Sequence, residues 1–124
     1  MDEQRQLLSA NRIDDKLVVT IQGDVVGANL RMLQTSLLEK LKEGSTRVVV
    51  FDVSTVEVMD LTEFESFANV VKMTELLGVS SVVVGVTPGV AAFLVESGAE
   101  LGGLKTALGI DDLDRAIDLG RKIH

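Results

Sequence analysis

Hydrophobic residues are spaced along the chain in two ways, and together these predict an α/β fold. Short runs rich in valine and other β-branched residues predict five strands, at residues 7–13, 16–22, 47–53, 81–86 and 105–108. Apolar residues at every third or fourth position, or helix start and stop signals, predict four helices, at residues 28–42, 60–78, 89–97 and 111–122. The predicted order of elements is β-β-α-β-α-β-α-β-α.

This order predicts how the strands pair. The two middle strands are almost continuously apolar, which is typical of central strands covered on both faces. Strand–helix–strand units of this length favour parallel pairing, whereas the tight turn at Asp14 and Asp15 favours an antiparallel first pair. We therefore expect a single domain over residues 1–124, with a mixed, mainly parallel sheet of four to five strands and about four helices packed around it.

Two of the helices carry clear start signals. Asp60 can accept hydrogen bonds from the first turn of the helix that follows it, and Glu63 can reach back to the Asp60 N–H. This pair predicts a capping box. Thr87 and Pro88 have the positions of an N-cap and a first helical residue, and Gly98 is placed to end that helix.

Composition and charge exclude several classes of protein. Without cysteine the chain has no disulfide, thiolate metal site or cysteine nucleophile. Its net charge of −7 argues against the concentrated basic surface that nucleic acid requires. No apolar run reaches the roughly 18 residues of a membrane helix, and the first residues do not read as a signal peptide. We expect a cytoplasmic protein that binds neither nucleic acid nor membrane.

Motifs for catalysis or cofactor binding are not found. The single histidine, His124, is the last residue, so neither Ser–His nor Cys–His nucleophilic catalysis is expected. The acidic segment at residues 111–114 is interpreted as a capped helix start and not as a metal site. Residues 85–89 lack the glycine spacing and the lysine of a P-loop, and no strand precedes the glycines at residues 98–103. The sequence therefore predicts no enzymatic activity, no metal and no cofactor.

The most specific stretch of the sequence resembles the signature of the STAS domain family. It spans residues 51–61 and reads Phe-Asp-Val-Ser-Thr-Val-Glu-Val-Met-Asp-Leu, a central strand that ends in Asp, a turn, and an Asp at a helix start. The resemblance continues through Leu-Leu-Gly-Val at residues 76–79 and Gly-Val-Thr-Pro-Gly-Val-Ala at residues 85–91. With the segments that follow, it is particularly similar to stressosome STAS proteins of the RsbS and RsbR kind. It covers about residues 10–120.

The resemblance implies a partner-binding site at the start of the second predicted helix, at Asp60, Leu61, Thr62 and Glu63. In the family, a Ser or Thr directly after the helix-start Asp is phosphorylated by a partner serine kinase. Here that position is Leu61, which cannot be phosphorylated, and Thr62 comes one residue later, turned by about 100° on the helix. Either Thr62 is the regulated hydroxyl, or the domain is a constitutive binding scaffold. We favour the second.

The function implied by the resemblance is non-enzymatic signalling. Such a protein binds other STAS proteins of the RsbR kind and a serine kinase or anti-sigma factor, and forms homo- or hetero-oligomers. With no sensor domain ahead of the resemblance, the minimal RsbS-like stressosome scaffold is favoured. The main alternative is a freestanding anti-sigma-factor antagonist that sequesters its kinase in a small complex. A small ligand-binding α/β domain or enzyme, and the STAS tail of an anion transporter, rank lower.

Overall fold

The computed structural model describes residues 9–22, 30–98 and 106–107. They form five strands and three helices: β1 (Ser9–Ile13), β2 (Lys16–Thr20), α1 (Leu30–Leu41), β3 (Val48–Asp52), α2 (Leu61–Leu76), β4 (Ser80–Val84), α3 (Pro88–Ser97) and β5 (Thr106–Ala107). The predicted fourth helix, with its acidic segment at residues 111–114, and His124 lie outside the described residues. None of the three described helices is long and apolar enough to cross a membrane.

The five strands lie side by side in chain order, β1-β2-β3-β4-β5, in one sheet. β1 pairs antiparallel with β2, and every later pair is parallel. The turn between β1 and β2 places Asp14 at a φ of 57°, a left-handed conformation that aspartate adopts more readily than most residues. The predicted α/β class and the mixed, mainly parallel sheet are confirmed.

The three middle strands, β2, β3 and β4, are buried on both faces, as the apolar sequences of β3 and β4 predicted. On one face, alternate residues such as Val19, Val49 and Phe51 share the main hydrophobic core with side chains of α1, α2 and α3. On the other face, the valines form a second buried cluster: Val18, Val48, Val50, Val82 and Val84. Because neither face is polar, these strands show no alternation of apolar and polar residues.

Phe51 lies at the centre of the main core and fixes where α2 crosses the sheet. Its side chain is fully buried, and its ring meets the ring of Phe67 on α2 edge-on, with centroids 5.6 Å apart and an interplanar angle of 87°. Edge-to-face aromatic pairs of this kind add to the stability that burial alone provides. The contact holds α2 over β3, and the short connection at residues 53–60 then leads directly from β3 to the first turn of α2.

The strands end slightly earlier than predicted, although the hydrogen bonding continues for one more residue. The Ile21 N–H donates to the Asp52 carbonyl at 2.9 Å, and the Val53 N–H donates to the Val84 carbonyl at 3.0 Å. After Val84 the chain turns at Gly85, whose φ of 78° is left-handed. The carboxyl ends of β2, β3 and β4 therefore meet at one edge of the sheet, and both α2 and α3 begin there.

We expect Phe51→Ala to lower the free energy of unfolding by about 3–5 kcal/mol, because it leaves a cavity at the centre of the core. The matched control is Phe93→Ala on α3, where the side chain is 39% exposed, and we expect a loss of at most about 1 kcal/mol. Urea unfolding followed by circular dichroism measures both changes. Equal losses in the two variants would contradict the central position of Phe51.

Candidate docking surface at the start of helix α2

The connection between β3 and α2 is anchored through every third side chain. Val53, Val56 and Met59 are all at most 3% exposed. The residues between the anchors face outward, and among them Val58 is 80% exposed and Glu57 is also exposed. The three buried side chains therefore hold the connection against the core, while the side chains between them face the solvent.

The exposed residues continue from this connection into the first turn of α2. Asp60, Leu61 and Thr62 are exposed, with Leu61 at 37%, and Glu63 is half-buried. We define the helix-start surface as Glu57, Val58, Asp60, Leu61 and Thr62. The four predicted residues, Asp60 to Glu63, thus lie in one helical turn. Sequence reasoning missed Glu57 and Val58, although the spacing of the three buried anchors was a signal that could have revealed them.

The predicted capping box at the start of α2 is confirmed. Asp60 is the N-cap in an extended conformation, and its Oδ1 accepts a hydrogen bond from the Glu63 N–H at 2.7 Å. Glu63 Oε1 accepts in return from the Asp60 N–H at 2.9 Å. Leu61 and Thr62 are consequently the first and second helical residues. Both carboxylates lie near the positive end of the helix dipole, which stabilises their negative charge.

Side-chain hydrogen bonds hold the connection at its β3 end. Asp52 Oδ1 accepts from the Ser54 N–H at 2.9 Å, which closes a tight turn directly after the strand. Thr55 Oγ1 donates to the Ile21 carbonyl at 3.1 Å and so ties the connection to the end of β2. These hydrogen bonds and the buried anchors lie within or next to the connection at residues 53–60, so its backbone is held at several points.

Thr87 links the connection to α3. As the N-cap of α3, its Oγ1 accepts from the Val90 N–H at 3.4 Å, and the same hydroxyl donates to the Val56 carbonyl at 3.1 Å. Pro88 is the first helical residue and Gly98 is a left-handed C-cap with a φ of 69°, both as predicted. One threonine therefore starts α3 and also fixes the loop that precedes α2.

Gly85 packs against Ser54 so closely that a side chain does not fit between them. A Cβ built on Gly85 would lie 2.8 Å from Ser54 Cβ and 3.0 Å from Ser54 Cα. Since Ser54 Cα is backbone, the connection itself would have to move. The contact joins residues far apart in the sequence, and the sequence analysis did not foresee it.

Negative charge surrounds the apolar residues of the helix-start surface. The chain has no Lys or Arg between residues 48 and 71, and the same stretch contains five acids: Asp52, Glu57, Asp60, Glu63 and Glu65. Val58 and Leu61 lie among these acids. Interfaces between proteins commonly have an apolar centre and a polar rim, and the helix-start surface has both.

The arrangement offers little for catalysis. Among the described residues, no three His, Cys, Asp or Glu side chains come together as a set of metal ligands. A cavity of about 280 Å³ lies between α2, α3 and the sheet, and the side chains that line it are apolar, among them Met59, Phe64, Val90 and Leu94. Because none of the described residues that line it is titratable, they provide no general acid or base. Docking of a macromolecule on the outer surface fits the geometry better.

Comparisons with known proteins point to one family. A model of the STAS domain family matches residues 8–106. RsbS from Moorella thermoacetica, solved as a serine-to-glutamate variant, is 30% identical with a TM-score of 0.74, and the match covers 92% of this chain and 97% of that one. A chain from a structure described as the molecular architecture of the stressosome, a signal integration and transduction hub, is 30% identical with a TM-score of 0.76, covering 91% and 99%.

A more distant structure shares the fold alone. The anti-sigma factor antagonist SpoIIAA in its unphosphorylated form is 15% identical with a TM-score of 0.62, and the match covers 94% of this chain and 98% of that one. A search of the curated proteins found no match.

We expect Gly85→Ala to destabilise the protein more than Gly78→Ala. Both glycines have a left-handed φ, of 78° and 82°, so both variants lose about 1–2 kcal/mol through backbone strain. A Cβ at Gly78 meets nothing within 4 Å, whereas one at Gly85 collides with Ser54, and this should add about 1–3 kcal/mol. Urea unfolding measures the difference, and amide chemical shifts of residues 54–60 should move only in Gly85→Ala. Equal losses and unmoved shifts would show that the contact does not hold the connection.

Proposed function

The chain belongs to the STAS domain family, and from this membership we propose that it is a non-enzymatic signalling protein that binds other STAS proteins and a serine kinase or anti-sigma factor. The family match supports the class of protein. The 30% identity to RsbS and to a stressosome chain supports a scaffold of the RsbS kind in particular. The proposal includes a cytoplasmic location, as expected from the sequence.

The helix-start surface is the observation that carries this proposal. It combines exposed apolar area at Val58 and Leu61 with the acids Glu57 and Asp60, on a backbone held by buried anchors and hydrogen bonds. A surface that is already ordered before a partner arrives loses little conformational entropy on binding. These are the properties of a docking site for a folded protein.

Leu61 favours a constitutive scaffold over a phosphorylated switch. The capping box makes Leu61 the first helical residue, directly after the N-cap Asp60, and this is the position at which the resemblance implies a Ser or Thr. An aliphatic side chain there adds apolar contact area and has no group to modify. In this proposal the surface stays available for docking at all times.

Thr62 supports the alternative, a freestanding antagonist released by phosphorylation. It is exposed at the second helical position, close to the carboxylates of Asp60 and Glu63. A phosphate there would add about −1.5 to −2 charges beside these acids. It would repel an acidic partner, and burying it against an apolar partner would be opposed by the cost of removing its water. The freestanding antagonist therefore requires one phosphorylatable hydroxyl at the helix start, and Thr62 provides it.

The first test is the molecular mass in solution, alone and with STAS paralogues and serine kinases encoded in the same genome. We expect a large assembly with a STAS paralogue, because a scaffold must bind several partners. A small complex with a kinase only would favour the freestanding antagonist. Absence of association with either class of partner would contradict the proposal.

A single substitution tests whether the helix-start surface is the docking site. Leu61→Asp removes apolar area but places an acid in the first turn, which a helix tolerates well. We expect at least about tenfold weaker binding to the partner found above, equivalent to about 1.4 kcal/mol. The control is Ile13→Asp, an exposed apolar residue at the opposite end of the sheet, which should leave affinity unchanged. Isothermal titration calorimetry compares the two, and equal affinities would place the docking site elsewhere.

Phosphorylation distinguishes the scaffold from the antagonist. After incubation with the partner kinase and ATP, we expect mass spectrometry to find Thr62 unmodified in the natural sequence, whereas Leu61→Ser should gain one phosphate at residue 61. A phosphate on Thr62 would contradict the constitutive scaffold and support the antagonist. Thr62→Val then serves as the control that the site has been assigned to the correct hydroxyl.

A further inference from the structure

The cavity between α2, α3 and the sheet reaches into the main hydrophobic core. Its volume is about 280 Å³. Most of its wall consists of core side chains from the connection, α2 and α3, each at most 6% exposed: Val53, Met59, Phe64, Phe67, Val90 and Leu94. The space therefore lies among the side chains that hold these elements together.

The cavity is larger than an ordinary gap in packing. Protein interiors contain few voids larger than a water molecule. A cavity of about 150 Å³ with leucine, isoleucine and phenylalanine walls is large enough to bind benzene. The volume here is nearly twice as large, which gives room for an apolar molecule of about ten carbon atoms. Because the side chains of the wall have no neighbours on their open side, a fitting occupant would restore dispersion contacts that empty space lacks.

The wall determines the chemistry of a suitable occupant. None of the described residues that line the cavity has an oxygen or a nitrogen in its side chain. A charged or strongly polar molecule would lose its water here without gaining hydrogen bonds, and water itself would find few partners. The cavity therefore suits an uncharged, apolar molecule.

The cavity also reaches the surface beside α3. Val86, Ala91 and Val95 line it as well, and all three are exposed, Val86 at 37% and Val95 at 71%. A small molecule can therefore enter past these side chains while the elements around the cavity stay folded.

We propose that this cavity is a binding site for an uncharged, apolar small molecule of about ten carbon atoms. A molecule bound there lies against Val53 and Met59, two of the three buried anchors of the connection before α2. The proposal goes beyond the proposed function and does not depend on it, because the cavity opens beside α3 and its binding is measured on the chain alone.

Naphthalene is a suitable probe, because it is uncharged, contains neither oxygen nor nitrogen and matches this size. With methionine methyl groups labelled with carbon-13, we expect the Met59 signal to shift and saturate, with a Kd of roughly 0.1 mM or tighter. Met32 and Met73 do not line the cavity, so their signals serve as internal controls and should stay in place.

Two matched variants on α3 test whether the probe occupies the cavity. Ala91 lines the cavity, whereas Ala92, turned by about 100° on the same helix, does not, and both residues are exposed. We expect Ala91→Leu to fill part of the space and to weaken naphthalene binding at least about tenfold, and Ala92→Leu to leave the affinity unchanged. Circular dichroism verifies that both variants fold like the natural sequence.

Three results would each overturn the proposal. A Met59 signal that stays in place up to the solubility limit of naphthalene shows a cavity closed to ligands, whether it has collapsed or is filled by a part of the chain outside the described residues. Equal shifts of Met32, Met59 and Met73 show unspecific association. Equal affinities of Ala91→Leu and Ala92→Leu place the probe elsewhere on the protein.

Discussion

The burial of β3 on both faces is the constraint from which the remaining architecture follows. Its neighbours β2 and β4 both run parallel to it, and parallel strands need crossover connections, which are usually helical, so the helix starts collect at the edge where the strands end. The fully buried ring of Phe51 meets Phe67 and places α2 across this strand. The position of the helix-start surface is thus a consequence of core packing, and the exposed residues themselves contribute little to it.

Sequence could predict those features whose signals are local. Valine runs marked the strands, and the spacing of Asp60 and Glu63 marked the capping box, because each depends on residues within one strand or one helical turn. The contact between Gly85 and Ser54 could not be read in this way, since it joins two segments that meet only in the folded chain.

Only part of the candidate site was predicted, because the rest depends on contacts made in the folded chain. The resemblance located the first turn of α2 correctly, but the surface extends back to Glu57 and Val58, whose exposure depends on the burial of the anchors around them. The capping box also clarifies the difference between Leu61 and Thr62. It fixes which is the first helical residue, so a hydroxyl at Thr62 cannot occupy the direction of Leu61 without rewinding the helix start.

The connection before α2 separates the residues that shape it from the residues that a partner meets. Its backbone is held by Val53, Val56 and Met59 and by a threonine on another helix, whereas Val58 makes no such contribution. Substitutions of the outward side chains should therefore change the surface that a partner meets and leave the fold about as stable as before. A loop built in this way lets a family of paralogues diversify its recognition while it keeps a common scaffold.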